Sequence, residues 1–512
     1  MLLLAAAVGL VALVGAAVVV ALATGGKRSR PAARSSVAGR RRATPARPSP
    51  VVTIDPATQG TTIAPGFLGL SIEYWAIEAY AGRNPAAINP ALTRLIRDLV
   101  PGQTAVLRIG GVSTDQTWWP VPGVKRPPGV FYRLNERRLE VMRSVAEEAG
   151  ARLILGITFE ADSPLLARTE ARAMVAAIGP SRIDAFELGN EPELYGNPNF
   201  AWYTRDGHSV LGRPAGYGAP QFMHDFATIG AGLPQVPLAG PASGAADWLG
   251  ELGPFIAGTP RLGVVTVHRY PFEACAVQPP SPSYPTISRL LSPLGTTDQA
   301  TGLVPYVATA HTHGLPLRIG EMNSVGCGNP PEVPNSFALA LWALDALFAY
   351  AQVGVDGVNV HSWPGAVYQL FRFKNTGNGW QAFVEPEYYG LEMFAAAAPA
   401  GSRLVKAASS NPAVRAWATR AADGTVRVTL INDDTARAQR VTVTVSGAQR
   451  PASLERLLAP SATATNGVTL AGQTFDATGG LAGPVVENTV FSSSSGYPVR
   501  LPPASAALLT LR

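Results

Sequence analysis

Two short apolar stretches of the chain each break off at a glutamate, and these two glutamates are its clearest chemical signal. The stretch AFELGNEPEL (185–194) turns polar at Asn190 and Glu191, and the stretch LRIGEMNSV (317–325) turns polar at Glu321. An apolar run that ends in this way is typical of a buried strand with reactive groups at its end. Two carboxylates in one pocket suit cleavage of a glycosidic bond, because one can protonate the leaving oxygen while the other attacks the anomeric carbon. The sequence therefore predicts that Glu191 and Glu321 are a catalytic pair.

The elements around these two residues predict how they meet. Between residues 65 and 398 a short apolar strand is repeatedly followed by a helical pattern, which is typical of βα units on a parallel sheet. The predicted strands are 67–73, 105–111, 152–159, 185–191, 238–243, 264–270, 317–323 and 357–363. Eight such strands close a (β/α)8 TIM barrel, an α/β fold in which catalytic groups lie at the C-terminal ends of the strands. Glu191 on the fourth strand and Glu321 on the seventh would then lie roughly opposite each other and face one pocket.

The pattern changes near residue 399. From there to residue 512, apolar and polar residues alternate in short runs such as TVRVTLIND and QRVTVTVSG, which are separated by turn-forming clusters. This alternation without helices predicts an antiparallel β-sandwich after the barrel. Residues 51–64 precede the barrel and begin with the strand VVTI, which we expect to pair with the sandwich.

The start of the chain differs from the rest. Residues 2–23 are apolar, uncharged and long enough to cross a bilayer, so residues 1–25 are predicted to be a signal peptide or a membrane anchor. Ala21-Leu22-Ala23 offers a signal-peptidase pattern, whereas the usual basic residues before the apolar run are missing. If the segment is retained, the arginines behind it favour a cytoplasmic location for the following chain, which conflicts with export. We expect an exported protein, either secreted or anchored at the outer face of the cytoplasmic membrane.

Residues 26–50 form a predicted linker rich in Pro, Arg and Ala. They carry eight basic residues and no acidic residue. Without these eight the formal charge falls from +6 to −2, so the basic character of the chain belongs to its linker and not to its predicted folded part. Binding to nucleic acid is therefore not expected.

Four motifs together give the chain a family resemblance. LRIGGVSTD (107–115), FELGNEPELY (186–195), VHRYP (267–271) and IGEMNSVGCG (319–328) resemble glycoside hydrolase family 79, the β-glucuronidase and heparanase group. The placement of Asn-Glu-Pro on strand four and of a glutamate on strand seven is similar to clan A of the retaining glycoside hydrolases. The likeness spans residues 51–512 and includes the trailing sandwich.

The resemblance implies a role for each residue of the pocket. Glu191 matches the acid/base of these enzymes, and Glu321 matches their nucleophile. Asn190 would bond the 2-hydroxyl of the sugar, and Tyr270, at the end of strand six, would orient Glu321 through a hydrogen bond. Arg108 would keep Glu321 ionised, because a nearby guanidinium lowers the pKa of a carboxylate.

The resemblance also points to the substrate. Glucuronidases of the family bind the substrate carboxylate with backbone amides just after the nucleophile, and glycines such as Gly326 and Gly328 allow a backbone to come close. The chain departs from some members here, with Gly326 in place of a tyrosine and Val112 in place of a polar residue. His361 and Trp363, at the end of strand eight, either line the sugar site or pack in the core.

The two cysteines of the chain, Cys275 and Cys327, follow strands six and seven. Neighbouring loops of a barrel lie side by side, and an exported protein meets an oxidising environment, so we expect a disulfide between them. The alternative is two unpaired thiols. A bridge would stiffen the segment from Gly326 to Gly328.

These features together predict a retaining β-glycosidase that removes β-linked glucuronic acid, or its 4-O-methyl derivative, from glycans. No metal or cofactor is expected, since the six histidines show no ligand spacing on a helix and no Gly-rich phosphate fingerprint is present. One alternative is a clan A enzyme that acts on a neutral sugar, such as a xylosidase or arabinofuranosidase. Another is a carbohydrate-binding surface protein without turnover, against which the presence of both glutamates argues.

Overall fold

The computed structural model of the protein describes residues 50–200, 202–203, 208–275, 277–281, 283–331 and 333–512. The predicted signal peptide or anchor lies outside the described residues, and so does the predicted linker apart from residue 50. Within the described part of the chain, no helix is both long enough and apolar enough to span a membrane.

A closed barrel of eight parallel strands occupies the first part of the described chain. Its strands are β1 (Leu68–Ile72), β2 (Ala105–Ile109), β3 (Ala151–Ile157), β4 (Ile183–Leu188), β5 (Leu238–Ser243), β6 (Leu262–Arg269), β7 (Leu317–Met322) and β8 (Gly357–Ser362). Each strand pairs with the next one in the chain, and β8 pairs with β1 to close the ring. The eight predicted strands and the TIM barrel are confirmed. The strand interiors are largely buried on both faces, as expected for parallel strands covered by helices.

Helices follow the strands and cover the outside of the barrel. Asn135 and Ser163 cap two of them, because each side chain accepts a hydrogen bond from a backbone N–H group of the first turn. The α-helices are Tyr74–Ala81, Pro90–Asp98, Ser113–Gln116, Glu136–Ala149, Pro164–Ile178, Ala219–Ala231, Ala246–Leu249, Leu252–Ala257, Ile287–Leu290, Thr297–Thr301, Val304–Thr312, Phe337–Gln352 and Pro386–Ala397. Short 3-10 turns are Pro180–Arg182, Pro192–Leu194, Pro198–Phe200 and Pro293–Gly295.

Two sheets packed face to face form the C-terminal domain. The strands of the larger sheet, in spatial order, are Arg403–Leu404, Val414–Arg420, Val426–Asn432, Ser505–Leu511, Ala452–Leu458 and Thr469–Leu470, and Asn488–Val490 pairs at the side of Ala452–Leu458. The smaller sheet contains Lys406–Ser409, Val51–Asp55, Gln439–Val445 and Tyr497–Leu501 in that order. Apolar side chains between the sheets, including Val428, Leu430 and Val443, form their common core. The predicted β-sandwich is confirmed.

The strand Val51–Asp55 lies inside the smaller sheet. It pairs antiparallel with Lys406–Ser409 and parallel with Gln439–Val445. Val52 and Ile54 are buried while their neighbours Val51 and Thr53 are exposed, which is the period of two of a strand with one face on a core. The sandwich is therefore not purely antiparallel, because a strand from the start of the described chain enters between two strands from its end.

Helix Phe337–Gln352 joins the barrel to the sandwich and is buried along nearly its whole length. The ring of Phe348 stacks on Trp417 of the sandwich with centroids 5.7 Å apart, and Trp417 Nε1 donates to Asp345 Oδ1 at 2.6 Å. At another point of the helix, Trp342 Nε1 donates to the carbonyl oxygen of Gly295 at 2.8 Å. The helix has partners in both domains, which explains why its sequence is apolar all round.

Two-stranded ribbons occur in the loops. They are Thr117–Trp118 with Tyr132–Arg133, Trp202–Tyr203 with Ser209–Val210, Phe371–Asn375 with Trp380–Val384, and Thr474–Phe475 with Leu481–Ala482.

Candidate active site

Glu321 lies near the C-terminal end of β7 with both of its carboxylate oxygens held. Arg108 of β2 donates from a terminal guanidinium nitrogen to Glu321 Oε2 at 2.6 Å. Tyr270, just past β6, donates its hydroxyl proton to Glu321 Oε1 at 2.7 Å. The Glu321 side chain is 8% exposed, so these contacts fix a nearly buried carboxylate in one orientation.

The charges around Glu321 keep it ionised. Burial alone would raise its pKa, but the neighbouring His361, His268 and Arg108 outweigh this effect and hold the pKa of Glu321 well below its ordinary value. His361 Nδ1 lies 3.8 Å from Glu321 Oε2. A carboxylate that stays ionised and oriented is suited to act as a nucleophile.

Glu191 follows β4 at a turn with an unusual backbone. Its φ of +49° and ψ of +59° are the left-handed conformation, which residues other than glycine adopt only when neighbours enforce it. Two hydrogen bonds do so here: the N–H of Glu191 donates to the carbonyl oxygen of Ala242 at 3.0 Å, and the N–H of Asn190 donates to Asp115 Oδ2 at 3.0 Å. The side chain of Glu191 is 28% exposed and so more open to solvent than that of Glu321.

Asp115 links the turn at Glu191 to the residues that follow β3. Its buried carboxylate accepts hydrogen bonds from the backbone N–H groups of Phe159 and Glu160 and from the hydroxyl of Tyr195, as well as from Asn190. Burial raises the pKa of Asp115, and these hydrogen bonds oppose the rise. The position of Glu191 therefore depends on the carboxylate of Asp115, which is itself buried.

The two glutamates meet beside His268. One oxygen of Glu191, one ring nitrogen of His268 and one oxygen of Glu321 all lie within 4.8 Å of one another. His268 Nδ1 is 3.0 Å from Glu191 Oε1. Burial alone would lower the pKa of His268, but Glu321 and the contact with Glu191 raise it. Carboxylates this close suit a retaining glycosidase, which needs about 5–5.5 Å, and leave too little room for the water of an inverting one, which needs about 6.5–9.5 Å.

The same three side chains are close enough to share a metal ion. Their donor atoms are already engaged, however, since His268 contacts Glu191 and the Arg108 guanidinium occupies Oε2 of Glu321. A fixed positive charge at that distance from the donor set also opposes a cation. The arrangement fits proton transfer and nucleophilic attack better than metal binding.

Arg108 is fully buried, and its guanidinium contacts several side chains at once. Besides Glu321 it donates to Asn190 Oδ1 at 2.9 Å, to Ser71 Oγ at 3.1 Å and to Glu187. Because Oδ1 of Asn190 is engaged by Arg108, the amide nitrogen of Asn190 is the group that can donate to a sugar hydroxyl.

His361 and Trp363, at the end of β8, lie in different surroundings. His361 is buried, with Nδ1 3.0 Å from Ser71 Oγ and Nε2 3.5 Å from Glu73 Oε1. Trp363 is half-buried, and its ring meets that of Trp75 edge-on with centroids 5.7 Å apart. His361 therefore belongs to the polar network around Glu321, whereas Trp363 keeps part of its surface exposed.

The segment after β7 departs from what the resemblance implies at Gly326. Its N–H donates to the carbonyl oxygen of Phe272 at 2.8 Å, so this amide is engaged within the protein and does not point at a substrate carboxylate. Gly328 has a φ of +81°, and a Cβ added there would lie 2.8 Å from the Cβ of Ala274. Gly328 is thus required by the close approach of the neighbouring loop.

The predicted disulfide is confirmed. Cys275 and Cys327 are bonded, with their Cα atoms 5.5 Å apart. Beside the bridge the N–H of Ala274 donates to the carbonyl oxygen of Cys327 at 2.9 Å. The bridge holds together the two loops that follow Tyr270 and Glu321.

Two buried carboxylates of this region, Glu187 and Asp115, escape prediction from the sequence. Glu187 lies in the apolar strand β4. Because barrel strands are buried on both faces, a charged residue in such a strand indicates that a charged or polar partner lies nearby, but the sequence does not show which residue that is. Asp115 ends the motif LRIGGVSTD, but its partners lie 44 to 80 residues further along the chain. Only the closed barrel brings those partners together.

A family profile matches the sandwich. Residues 416–508 match the glycosyl hydrolase family 79 C-terminal beta domain. The C-terminal domain is thus similar to the C-terminal domain of that family. This finding confirms the family 79 resemblance that the sequence motifs suggest. No curated protein matches the chain.

Solved structures of glycoside hydrolases share the fold of nearly the whole chain. A 4-O-α-L-rhamnosyl-β-D-glucuronidase from Fusarium oxysporum 12S is 19% identical with a TM-score of 0.70, and the match covers 90% of this chain and 100% of that one. An α-L-arabinofuranosidase from Thermotoga maritima is 15% identical with a TM-score of 0.63, over 90% of this chain and 100% of that one. The bifunctional glucanase-xylanase CelM2 from a metagenome library is 16% identical with a TM-score of 0.58, over 91% and 99%. At these identities the likeness shows the barrel-and-sandwich fold.

Proposed function

We propose that the protein is a retaining glycoside hydrolase that removes β-linked glucuronic acid, or its 4-O-methyl derivative, from glycans. The observation that carries this proposal is the pairing of Glu191 and Glu321 at the C-terminal end of the barrel. One carboxylate oxygen of Glu191 lies within 4.8 Å of one carboxylate oxygen of Glu321. The family 79 C-terminal domain supports it, and so does the glucuronidase among the structural neighbours.

In the first chemical step Glu321 attacks the anomeric carbon of the sugar. A bond forms between a Glu321 oxygen and that carbon, while the bond to the leaving oxygen breaks and its electron pair goes to the leaving oxygen. Glu191 gives its proton to this oxygen. The lowered pKa of Glu321 suits the attacking role, because the group is ionised when the substrate arrives.

In the second step water attacks the same carbon. Glu191, now a carboxylate, takes a proton from the water, and the electron pair of the ester bond returns to Glu321. Since Glu191 is the more exposed of the two glutamates, at 28% against 8%, it is the one that a leaving group and then a water molecule can reach. The two inversions at carbon together retain its configuration.

The surrounding residues then have defined tasks. Tyr270 orients Glu321 through its 2.7 Å hydrogen bond, and Arg108 holds the other oxygen. The amide nitrogen of Asn190 donates to the 2-hydroxyl of the sugar. Trp363 offers an aromatic surface at the edge of the pocket.

The substrate carboxylate needs a site of its own. Because the Gly326 amide donates to Phe272, the remaining backbone amides of this segment are those of Cys327 and Gly328. We assign the carboxylate to these amides, which the disulfide and the tight contact between Gly328 and Ala274 hold in place.

A neutral sugar is the second candidate substrate. The observation that favours it is the engaged Gly326 amide, since a carboxylate site that lacks one of its donors loses selectivity for uronates. In that case the enzyme would be a clan A glycosidase similar to the arabinofuranosidases of this fold.

We also propose that the protein is exported. The disulfide between Cys275 and Cys327 supports this location, because such bonds persist in oxidising compartments. Residues 2–23, which the sequence predicts to be a signal peptide or an anchor, lie outside the described part of the chain.

The test compares the hydrolysis of 4-nitrophenyl β-glucuronide with that of the matching β-glucoside and β-xyloside. A kcat/KM for the glucuronide at least about a hundredfold above the others would support the proposal, because a site that pairs a substrate charge rejects analogues without it. Preference for a neutral sugar would keep the two glutamates and replace the substrate. Binding of glycans without any hydrolysis would overturn the enzyme assignment.

The stereochemistry of the product tests the retaining route separately. Proton NMR of a fresh reaction should show the β-anomer before mutarotation. The α-anomer as first product would overturn the retaining mechanism.

A further inference from the structure

Glu187 is a carboxylate buried beneath the candidate catalytic pair. It lies on β4, its side chain has no exposed surface, and one of its oxygens accepts the Nε–H of Arg108. The other oxygen has no hydrogen-bond partner within the described residues. A Cβ added at Gly320 would lie 3.2 Å from that oxygen, so the residue before Glu321 leaves space for the Glu187 carboxylate. A buried ion of this kind is costly, and its retention needs a reason.

The reason lies in the charges of three side chains. Arg108 is positive and touches two carboxylates, Glu187 and Glu321. When Glu321 forms an ester with the sugar it loses its negative charge, and Arg108 loses one of its two ionic partners. With Glu187 present the trio goes from a net charge of −1 to neutral. With a neutral residue at 187 it would go from neutral to +1 in a buried site, which is unfavourable.

We propose that Glu187 is a positioning and charge-balancing residue that acts through Arg108 and promotes formation of the glycosyl-enzyme on Glu321. This inference rests on the proposed function, because it requires Glu321 to be the nucleophile. Glu187 does not touch the sugar. It fixes the guanidinium so that separate nitrogens face Glu321 and Asn190, and it compensates the charge of Arg108 after Glu321 has reacted.

The two chemical steps respond in opposite ways to this charge. In the first step the Glu321 oxygen bonds to the anomeric carbon, and the leaving group departs with its electron pair, so negative charge moves away from Arg108. In the second step water attacks, the electron pair of the ester returns to Glu321, and negative charge comes back to Arg108. An uncompensated Arg108 therefore slows the first step and does not slow the second. His268 and His361 also face Glu321. Burial alone would lower the pKa of Arg108, but Glu187 and Glu321 raise it above its ordinary value, so Arg108 stays charged in both steps.

The experiment traps the intermediate with 2-deoxy-2-fluoro-β-glucuronosyl fluoride and measures the two steps separately by intact-protein mass spectrometry. Glu187→Gln should slow the appearance of the adduct by at least about a hundredfold, equivalent to about 2.7 kcal/mol. Release of the adduct after removal of the reagent should not slow. The factor by which the variant slows adduct formation is divided by the factor by which it slows adduct release. A quotient of at least about ten supports the proposal, and a smaller quotient overturns it.

Glu170→Gln is the matched control. Glu170 is equally buried, accepts one backbone hydrogen bond and also has an oxygen without a partner in the described chain, but it lies on an outer helix. Its variant should leave the ratio of the two steps unchanged, and an equal shift there would overturn the proposal. If Glu187→Gln does not fold, Glu187→Met, which is also uncharged and of similar length, applies the same ratio test.

The labelled residue separates the two possible failures. An adduct on Glu321 in the unmodified protein, together with parallel slowing of both steps in the variant, overturns the role of Glu187 alone. No adduct on Glu321 in the unmodified protein overturns the proposed function and this inference with it.

Discussion

At the scale of single residues, Glu321 is held by Arg108 on one oxygen and by Tyr270 on the other. Glu321→Gln keeps the shape of the side chain and removes the attacking charge. We expect kcat to fall by at least about a thousandfold, because an amide cannot form the ester intermediate. The measurement is kcat on 4-nitrophenyl β-glucuronide, with circular dichroism to show that the variant folds. Turnover near that of the unmodified protein would exclude Glu321 as nucleophile.

Glu191 and Glu193 provide a pair of carboxylates on one loop with different surroundings. Glu193 accepts hydrogen bonds from the N–H groups of Gly244 and Ala245, and burial together with the neighbouring Glu191 raises its pKa to about 7. It braces the loop and does not contact Glu321 in the described hydrogen-bond network.

Azide rescue distinguishes these two carboxylates. Glu191→Ala should hydrolyse an activated aryl glucuronide only slowly, and added azide should restore turnover and give a β-glucuronosyl azide, since a small anion can occupy the space of the lost acid/base. Glu193→Ala is the control and should form no azide product. Rescue of the control but not of Glu191→Ala would exchange the roles of the two residues.

At the scale of elements, the strands can be predicted from the sequence because each is a short apolar run that ends in polar residues. Strand β5 has the predicted bounds 238–243, and β7 ends one residue before the predicted end. The contacts between strands are harder to predict. Arg108 and Glu187 are 79 residues apart, and no local pattern relates an arginine on β2 to a glutamate on β4. The position of a charge in a strand signals that it has a partner, but only closure of the ring decides which one.

In the loop that follows β7, the contacts of Gly326 likewise cannot be predicted from the sequence. A glycine in sequence indicates that a backbone can come close to something, without saying to what. In the structure the close neighbour is the loop after β6, through the bond from Gly326 to Phe272 and the contact of Gly328 with Ala274.

Gly328→Ala tests this close approach. The new methyl group would meet Ala274, and φ at +81° also disfavours a side chain, so we expect a loss of about 2–4 kcal/mol in the free energy of unfolding. Gly314→Ala is the control, since Gly314 has a φ of +72° with no atom near its Cβ position, and should cost only about 1 kcal/mol. Urea unfolding measures both. Equal losses would show that the contact with Ala274 contributes nothing.

At the scale of the whole molecule, the barrel and the sandwich share a buried polar junction. Asp345 of the barrel helix accepts from Trp417, and Arg415 of the sandwich lies 3.2 Å from Asp433 Oδ2. Burial and the neighbouring Asp345 raise the pKa of Asp433 to about 8. The junction is therefore more stable when this carboxyl carries a proton.

The pKa values of other carboxyl groups in the molecule are raised as well. Burial raises the pKa of Glu392 to about 7, and burial also raises the pKa of Glu170 and of Glu387. Between about pH 4, where these groups ionise in the unfolded chain, and about pH 8, the folded state binds more protons than the unfolded state. Stability must then fall as the pH rises through this interval. The lowered pKa of Glu321 has the opposite sign, but it acts only below the ordinary range of a glutamate.

We therefore expect the midpoint of thermal unfolding to be higher at pH 5 than at pH 8. Glu392 alone would contribute a difference on the order of 3 kcal/mol, because its pKa differs by more than two units between the folded and unfolded states. Calorimetry across this range measures the slope. Asp433→Asn should flatten it, because the amide does not titrate, whereas Asp423→Asn at a fully exposed turn should not. A midpoint that rises from pH 5 to pH 8 would mean that these carboxyls are ionised in the folded protein and that the junction of the two domains opens to water.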